Sequence, residues 1–543
     1  MLPANVLSPY ENHNVIEGIE NRRSSAAAAV GIDKDTMPEN FPLEQWHEQS
    51  ARYEDYWSWF TGVRLASDTG RTRDGKTVSK FPLQINTVRN FSRKHNALLW
   101  GEIPDTPQPV VRTVVRPKKR ISGSEIPETE KKSARSYENI CNEVWEQSNG
   151  NAIMLENGLM SQFLGGCYFQ LKYVKPYRPD LRIPIVVNKI VPDFVLPIWS
   201  NDNDFVLNEA WIVYRISKAS AERDYGIHVE GNWAVYVEHW TREQYTIYID
   251  NKPLVATHPL PFGGSVTVSY DHTENPFKFV PIFYVPRFRE GSFYGSSLVP
   301  DIAALSLEYN GRLADLGTIV KRTADRKWFG RNISGNIAVK QLDTGTWYSD
   351  LGMQNPSINN PPEVWAENPA NLSDTFVNNN ENLWEQLMIE GSLTKVAFGY
   401  VDGTQRSGET LKALMWPSAA AAKNQRVNWS AGKNQIDKHI LAMCFIKQIK
   451  IDGIEIPQYV WRDFDVRQDW LPILPKDREQ TVNEVVSLTG VNRISLEQSI
   501  LKLGDVEDVQ EEIDRIEEEQ EKAQENQMAL KTPQPNENKP SGD

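Results

Sequence analysis

The sequence predicts an α+β fold, on three observations. Apolar residues recur at helical spacing between Pro42 and Phe163, and again from Leu298 onward. From Cys167 to Phe288 the period shortens to that of strands, with β-branched and aromatic residues separated by turn clusters. A long helical run, a Gly/Asn/Pro-rich excursion and a second helical run then follow one another.

Residues 1 to 40 are polar and alanine-punctuated, with weak periodicity, and read as an arm. Helices are expected from Pro42 to Phe60, over Gln84–Trp100 and over Tyr137–Phe163, with a Gly/Asp/Thr/Arg loop over Asp68–Lys80. Arg112–Arg135 contains Arg116-Pro-Lys-Lys-Arg120 and lacks aromatics, so a solvated loop is expected there rather than a nucleic-acid patch. Strands are expected at Cys167–Val174, Ile183–Val191, Phe205–Ile216, Trp233–Trp240, Tyr245–Ile249 and Phe279–Phe288.

The stretch Phe293–Lys327 carries the clearest pattern. Ser296 or Ser297 supplies a cap, Pro300 sits in the first turn, and Asp301 faces the helix N-terminus. Leu298, Ile302, Leu305, Tyr309, Leu313, Leu316 and Val320 form an eleven-residue repeat, close to the period of a straight helix. Ala303, Ala304, Gly311, Ala314 and Gly317 offer little side chain, which suits close lateral packing. Lys321, Arg322, Arg326 and Lys327 crowd the C-terminal end, where cations suit the dipole. Trp328–Pro369 reads as turns and brief strands, and Asn371–Lys395 as a returning helix. A polar Gly-rich loop follows over Phe398–Gly408, then a long helix over Glu409–Ile449 with a kink expected at Pro417. Tyr459–Val466 reads as a strand, Asp477–Leu488 and Ser495–Leu501 as short helices, and the chain beyond Glu517 as disordered.

The totals narrow the function. Net charge is -13 and the sequence pI about 5.3, which disfavours a tight, sequence-independent DNA groove. The three cysteines, Cys141, Cys167 and Cys444, lie far apart and read as buried thiols. No run is long enough to span a bilayer and no N-terminal apolar signal region stands out. The eight histidines form no HxH, HxxxH or HExxH pair, so no metal site is expected. Gly403-Thr-Gln-Arg-Ser-Gly408 has the spacing of a phosphate loop, but Glu409 stands where the phosphate-binding Lys is needed. No catalytic residue and no cofactor is expected.

Taken in order, these parts resemble the portal (head-to-tail connector) proteins of tailed double-stranded DNA bacteriophages. The resemblance is carried by Val191–Ser200 with its Asn/Asp turn and by Glu238-His-Trp-Thr-Arg-Glu-Gln-Tyr-Thr246. It extends to Tyr294-Gly-Ser-Ser-Leu298 leading to Tyr309-Asn310, and to Leu488-Thr-Gly-Val-Asn-Arg-Ile-Ser495 before an acidic helix. It covers roughly Phe41 to Glu519.

The resemblance implies a ring, typically of twelve copies, through which double-stranded DNA passes without sequence specificity at a capsid vertex. The implied parts are an arm (1–40), a wing (41–290), a stem helix (291–327), a clip (328–369), a returning stem helix (370–397), a tunnel loop (398–408), a long kinked helix returning to the wing (409–475), a helical crown (476–519) and a tail (520–543). It implies DNA-facing residues at Gly399, Asp402, Gly403, Thr404, Gln405, Arg406, Ser407 and Gly408. Terminase, the major capsid or scaffold protein and a head-completion or tail adaptor protein are the implied partners, with no membrane. The implied location is the virion, after assembly in the host bacterial cytoplasm. Another connector or adaptor ring, or a DNA-packaging ATPase, is the alternative.

Overall fold

The computed structural model describes residues 36–66, 70–71, 77–78, 84–101, 109–118, 126–174, 181–200, 206–259, 265–324, 326–331, 341–342, 345–348, 363–366, 374–400, 408–449, 455–474, 478–491, 493–503 and scattered positions from 512 to 522. They fall into two compact units, one ending at Trp470 and one comprising 101–108 and the chain from Leu471.

In the first unit, helices α1 (Leu43–Thr61) and α2 (Thr87–Trp100) bury Trp46, Tyr53, Trp59, Phe91 and Leu99. The helix expected over Tyr137–Phe163 is instead two, α3 (Glu128–Gln147) and α4 (Gly150–Leu164). Asn149 separates them by adopting a φ of 55°, a left-handed conformation that Asn tolerates better than most residues. Strand β1 (Val111–Pro117) precedes α3. Strands β2 (Gly166–Tyr173) and β3 (Ile185–Ile190) form an antiparallel sheet with a later strand, Ile282–Pro286, on the far side of β2. Between them lies a larger antiparallel sheet of β4 (Val195–Trp199), β5 (Leu207–Ser217), β6 (Trp233–Thr241) and β7 (Gln244–Ile249), paired in that order. Apart from β4, these strands sit close to the segments that alternation predicts.

The span Arg112–Arg135 corrects the expectation of a solvated loop. Val111, Thr113 and Val115 are buried while Arg112, Val114 and Arg116 are half-buried or exposed, the two-residue period of a strand with one face on a core. The partner is distant in sequence: β1 pairs antiparallel with the strand Phe464–Trp470, which sets Arg116 opposite Asp465 and Arg112 opposite Asp469. Opposite charges facing across a strand pair favour this register. Arg112 also meets Glu138 of α3 at 3.1 Å. Arg112 and Arg116 thus serve strand register, residues 119–125 of the expected loop lie outside the described residues, and α3 has begun by Glu128. The neighbouring expectation of a strand over Tyr459–Val466 is also shifted: Val460–Asp463 is a short helix and the strand starts at Phe464.

Downstream, α5 (Val299–Ala324) leads into β8 (Arg326–Arg331), β9 (Gln341–Leu342), β10 (Gly345–Tyr348) and β11 (Glu363–Ala366). In this small sheet β8 runs parallel to β10 and antiparallel to β11, and β9 pairs with β10. Helix α6 (Asp374–Glu390) returns and packs on α5. Helix α7 (Gly408–Ile446) then runs for 39 residues and stays helical on both sides of Pro417.

The core that organises this unit lies beneath α7. Trp429, Ile436, Ile440 and Leu441 of that helix pack with Trp100, Val111, Ile140, Trp145 and Phe169. Inside this apolar cluster sits one carboxylate, Asp437, with no exposed surface. Its Oδ1 accepts from Trp145 Nε1 at 2.8 Å, and its Oδ2 accepts from Thr113 Oγ1 at 2.8 Å and Gln468 Nε2 at 2.8 Å. Lys433, one turn earlier and 4 % exposed, stands at 3.1 Å from Oδ2 and donates to Thr113 Oγ1. A buried charge is tolerated only when paired and fully hydrogen-bonded, and this one joins α7, α3, β1 and Phe464–Trp470.

In the second unit, α8 (Arg478–Gly490) and α9 (Leu496–Leu503) form a helical hairpin joined through Thr489 Oγ1 and Ser499 Oγ at 3.1 Å. Both helices lie where the sequence predicts them.

Asp437→Ala leaves Lys433 buried without its partner and is expected to cost about 3–5 kcal/mol. Urea unfolding of the purified protein measures this; a loss below about 1 kcal/mol would show that the cluster does not hold the unit together.

Candidate functional site

The candidate site is the helical hairpin α5–α6, the loop after it, and the start of α7. Its attachment begins at Tyr294-Gly-Ser-Ser-Leu298. Gly165, ending α4 with a φ of 86°, lies so close to Gly295 that a Cβ on either would fall within 2.3 Å of the other's carbonyl oxygen. Only glycine fits both positions. Gly295 N donates to Tyr284 Oη at 2.8 Å, Leu298 N to Gln162 O at 2.9 Å, and Ser297 Oγ to Phe163 O at 2.6 Å. Ser297 also accepts from Val299 N at 3.0 Å, so of the two serines considered for the cap it is Ser297 that meets the first turn of α5. Arg287, 3 % exposed, donates from Nε to Gln162 Oε1 at 3.1 Å, and Gln162 Nε2 donates to Gln425 Oε1 of α7 at 2.9 Å. Burial lowers the Arg287 guanidinium to about 10, and Asp301 opposes that shift from 3.9 Å.

Along α5, Leu298 and Ile302 are fully buried, and Leu305 and Tyr309 pack on the same cluster with residues of α1, α2 and α6. Beside this stripe lie two buried polar residues that apolar periodicity does not find. Asn310 accepts from Ile85 N at 2.7 Å and donates to Ile85 O at 3.0 Å, and Ser306 accepts from Thr87 Oγ1. Asn and Ser are weak helix formers, and their four-residue spacing against an apolar stripe was the available signal.

The five small residues of α5 separate into two groups. Ala303 packs on the chain's own core and Ala314 is 6 % exposed, so both serve the protomer itself. Ala304 is exposed, and a Cβ on Gly311 would meet nothing within 4 Å. Gly317 is half-buried. The basic end also divides. Lys321 and Arg322 fall in the last turn of α5, but the helix stops at Ala324, short of the expected Lys327. Arg326 and Lys327 instead pair along the backbone with Gly345 and Thr346, because the ladder between β8 and β10 takes them out of the helix.

The returning helix α6 ends at Glu390, earlier than the expected Lys395. Gly391 lies against Phe91, where a Cβ would meet ring atoms at 2.3 Å, and Ser392 takes a φ of 54° to turn the chain. His95 of α2, 1 % exposed, holds this turn with Nε2 at 2.6 Å from Gly391 O. Burial, with the charge of Arg287 adding to it, pushes the His95 imidazole down to about 3, so it is neutral and donates to that carbonyl. Thr394 N donates to Ser418 Oγ of α7 at 3.0 Å. A 3₁₀ turn, Lys395–Phe398, seats Phe398 between Phe91 and Trp384 at 5.1 and 5.3 Å, and Gly399 follows with a φ of 87°. Tyr400 is 60 % exposed. Asp402, Gly403, Thr404, Gln405, Arg406 and Ser407 lie outside the described residues, and Gly408 opens α7. Both flanks of the expected loop are therefore fixed: aromatic packing on one side, the long helix on the other.

Residues 377–526 match the family model described as phage portal protein, SPP1 Gp6-like. The match begins in α6 and runs through the loop, α7, Phe464–Trp470 and the α8–α9 hairpin. It supports a phage portal protein, the head-tail connector class that sequence order points to. No curated protein matches the chain. Among the described residues, no helix is long and apolar enough to cross a membrane.

His95 gives the hairpin's attachment a pH dependence. The folded chain keeps His95 neutral down to about pH 3, whereas the unfolded chain takes up a proton near its ordinary value of about 6.5. Its contribution is therefore complete above about pH 6.5 and lost as pH falls toward 3, at up to about 1.4 kcal/mol per pH unit. Urea midpoints at pH 7 and pH 5 are expected to differ less in His95→Gln than in the native sequence; equal differences would remove His95 as a titrating contributor.

Proposed function

We propose that copies of this chain assemble into a ring around a central channel at one capsid vertex, through which genomic DNA is packaged and later ejected. The observation that carries this reading is the family match over α6, the loop, α7 and the α8–α9 hairpin, the region that holds the returning stem helix and the loop assigned to the channel. In this reading α5 and α6 are the stem, about 328–369 is the clip that docks terminase, and about 476–519 is the crown. The ring contains twelve copies, as the resemblance implies, and the major capsid or scaffold protein and a head-completion or tail adaptor protein bind its outer parts. The role is structural, with no catalysis and no cofactor of its own.

Residues 398–408 form the tunnel loop that meets the duplex. Gly399, left-handed at φ 87°, sets the loop's departure from the 3₁₀ turn, and Gly408 its return into α7. Asp402, Gly403, Thr404, Gln405 and Ser407 give a small, polar surface, and Arg406 supplies a phosphate contact. A net charge of -13 supports passage over adhesion, since affinity for DNA grows with the number of phosphates neutralised. Lys321, Arg322, Arg326 and Lys327 lie where the stem meets the clip and provide the second basic zone near the docked motor.

Arg406→Glu is expected to assemble normally but to package or retain less DNA, measured as nuclease-protected DNA in particles carrying the variant. Unaltered packaging and retention would remove the loop from the mechanism.

A further inference from the structure

Two faces of the protomer expose large apolar side chains with opposite charge beside them. On the first half of α7, Ala413, Trp416, Ala420, Lys423 and Val427 follow one another at spacings of three or four residues and share one face. Trp416 is 58 % and Val427 68 % exposed, and the Lys423 ammonium lies 4.5 Å from the Trp416 ring. On α5, Ala304, Leu307, Glu308, Gly311 and Asp315 share the face turned away from the core. Leu307 is 44 % exposed, Gly311 leaves open space, and Glu308 and Asp315 line one edge. Asp301, also exposed, adds to the acidic edge.

The charges separate the two faces. Glu308 is engaged by Arg312 of its own helix at 2.7 Å, and Asp301 lies 3.9 Å from Arg287. Among the described residues, neither Lys423 nor Asp315 has an opposite charge within ion-pair distance. A bulky aromatic with an unpaired cation on one helix matches a shallow, small-floored face with an unpaired carboxylate on the other. Two different faces of one chain that fit each other give a head-to-tail contact, the kind that closes into a ring.

We propose that the occupant of the α7 face is the α5 face of a second copy of this chain, with Trp416 seated over Gly311 and Ala304, and Lys423 paired with Asp315. The proposal rests on the ring reading above and names its lateral contact. It also assigns Ala304 and Gly311 to the neighbour, whereas Ala303 and Ala314 serve the chain's own core.

The test uses the full chain and its charge-swapped variants, with mass photometry across a protein dilution series. Lys423→Glu and Asp315→Lys are each expected to raise the concentration needed for half-assembly by about tenfold or more, and the double variant to recover most of that loss. Trp416→Ala is expected to weaken assembly by at least as much, as a central aromatic anchor does. All three positions are on exposed faces, so circular dichroism of each variant should match the native chain. Single variants that assemble like the native chain would overturn this contact while leaving the ring intact. Weakened singles without recovery in the double variant would overturn the Lys423–Asp315 pairing. A native chain that stays monomeric at all concentrations would instead overturn the ring reading, and this contact with it.

Discussion

The structure depends first on a charge that has no access to water. Asp437 sits under the long helix α7, and its two oxygens accept from Trp145, Thr113, Gln468 and Lys433. Taking such a carboxylate out of water costs several kcal/mol, so the site is stable only when every donor is in place. Those donors come from α3, β1, the strand Phe464–Trp470 and α7 itself, and the farthest from Asp437, Thr113, is 324 residues away in the chain. The geometry therefore selects one seating of α7 against the rest of the first unit. The N-terminal half of the same helix carries both the end of the candidate loop and the exposed Trp416 face, so their positions are set from the buried end.

The hairpin α5–α6 is attached to the same body at three places. Gly165 and Gly295 bring two backbone segments into direct contact at its start. Asn310 closes on both polar atoms of the Ile85 backbone midway along α5. His95 and Phe91 hold the turn after α6. Each uses buried polar or backbone groups, whose hydrogen bonds have defined directions, where apolar packing alone would permit sliding. The small sheet of β8 to β11 follows α5 and precedes α6, between the second of these attachments and the third.

Much of this was legible in the sequence where the signal was local. The run of apolar positions from Leu298 to Val320 marks α5, and the switch of period at Cys167 marks the start of the sheets. The failures come from non-local partners. Arg112–Arg135 reads as a basic loop because the strand that matches β1, with Asp465 and Asp469 in register, lies about 350 residues away. Arg326 and Lys327 suit a helix C-terminus by charge, yet a parallel ladder claims them. Ala303 and Ala314 resemble Ala304 and Gly311 in size, and only burial distinguishes core contacts from a free face. The hydrogen-bonded residues Asn310, His95 and Asp437 share a polar side chain on a buried face, and apolar spacing does not say which partner each one meets.

The central claim is that the wing, stem hairpin and loop belong to a subunit of a ring with a channel. Negative-stain or cryogenic electron microscopy of the purified full chain tests it directly. The account predicts closed rings with a central opening wide enough for duplex DNA, about 20 Å, and a cyclic symmetry with twelve copies expected. A chain that remains monomeric, or closes into particles without an axial opening, would contradict it.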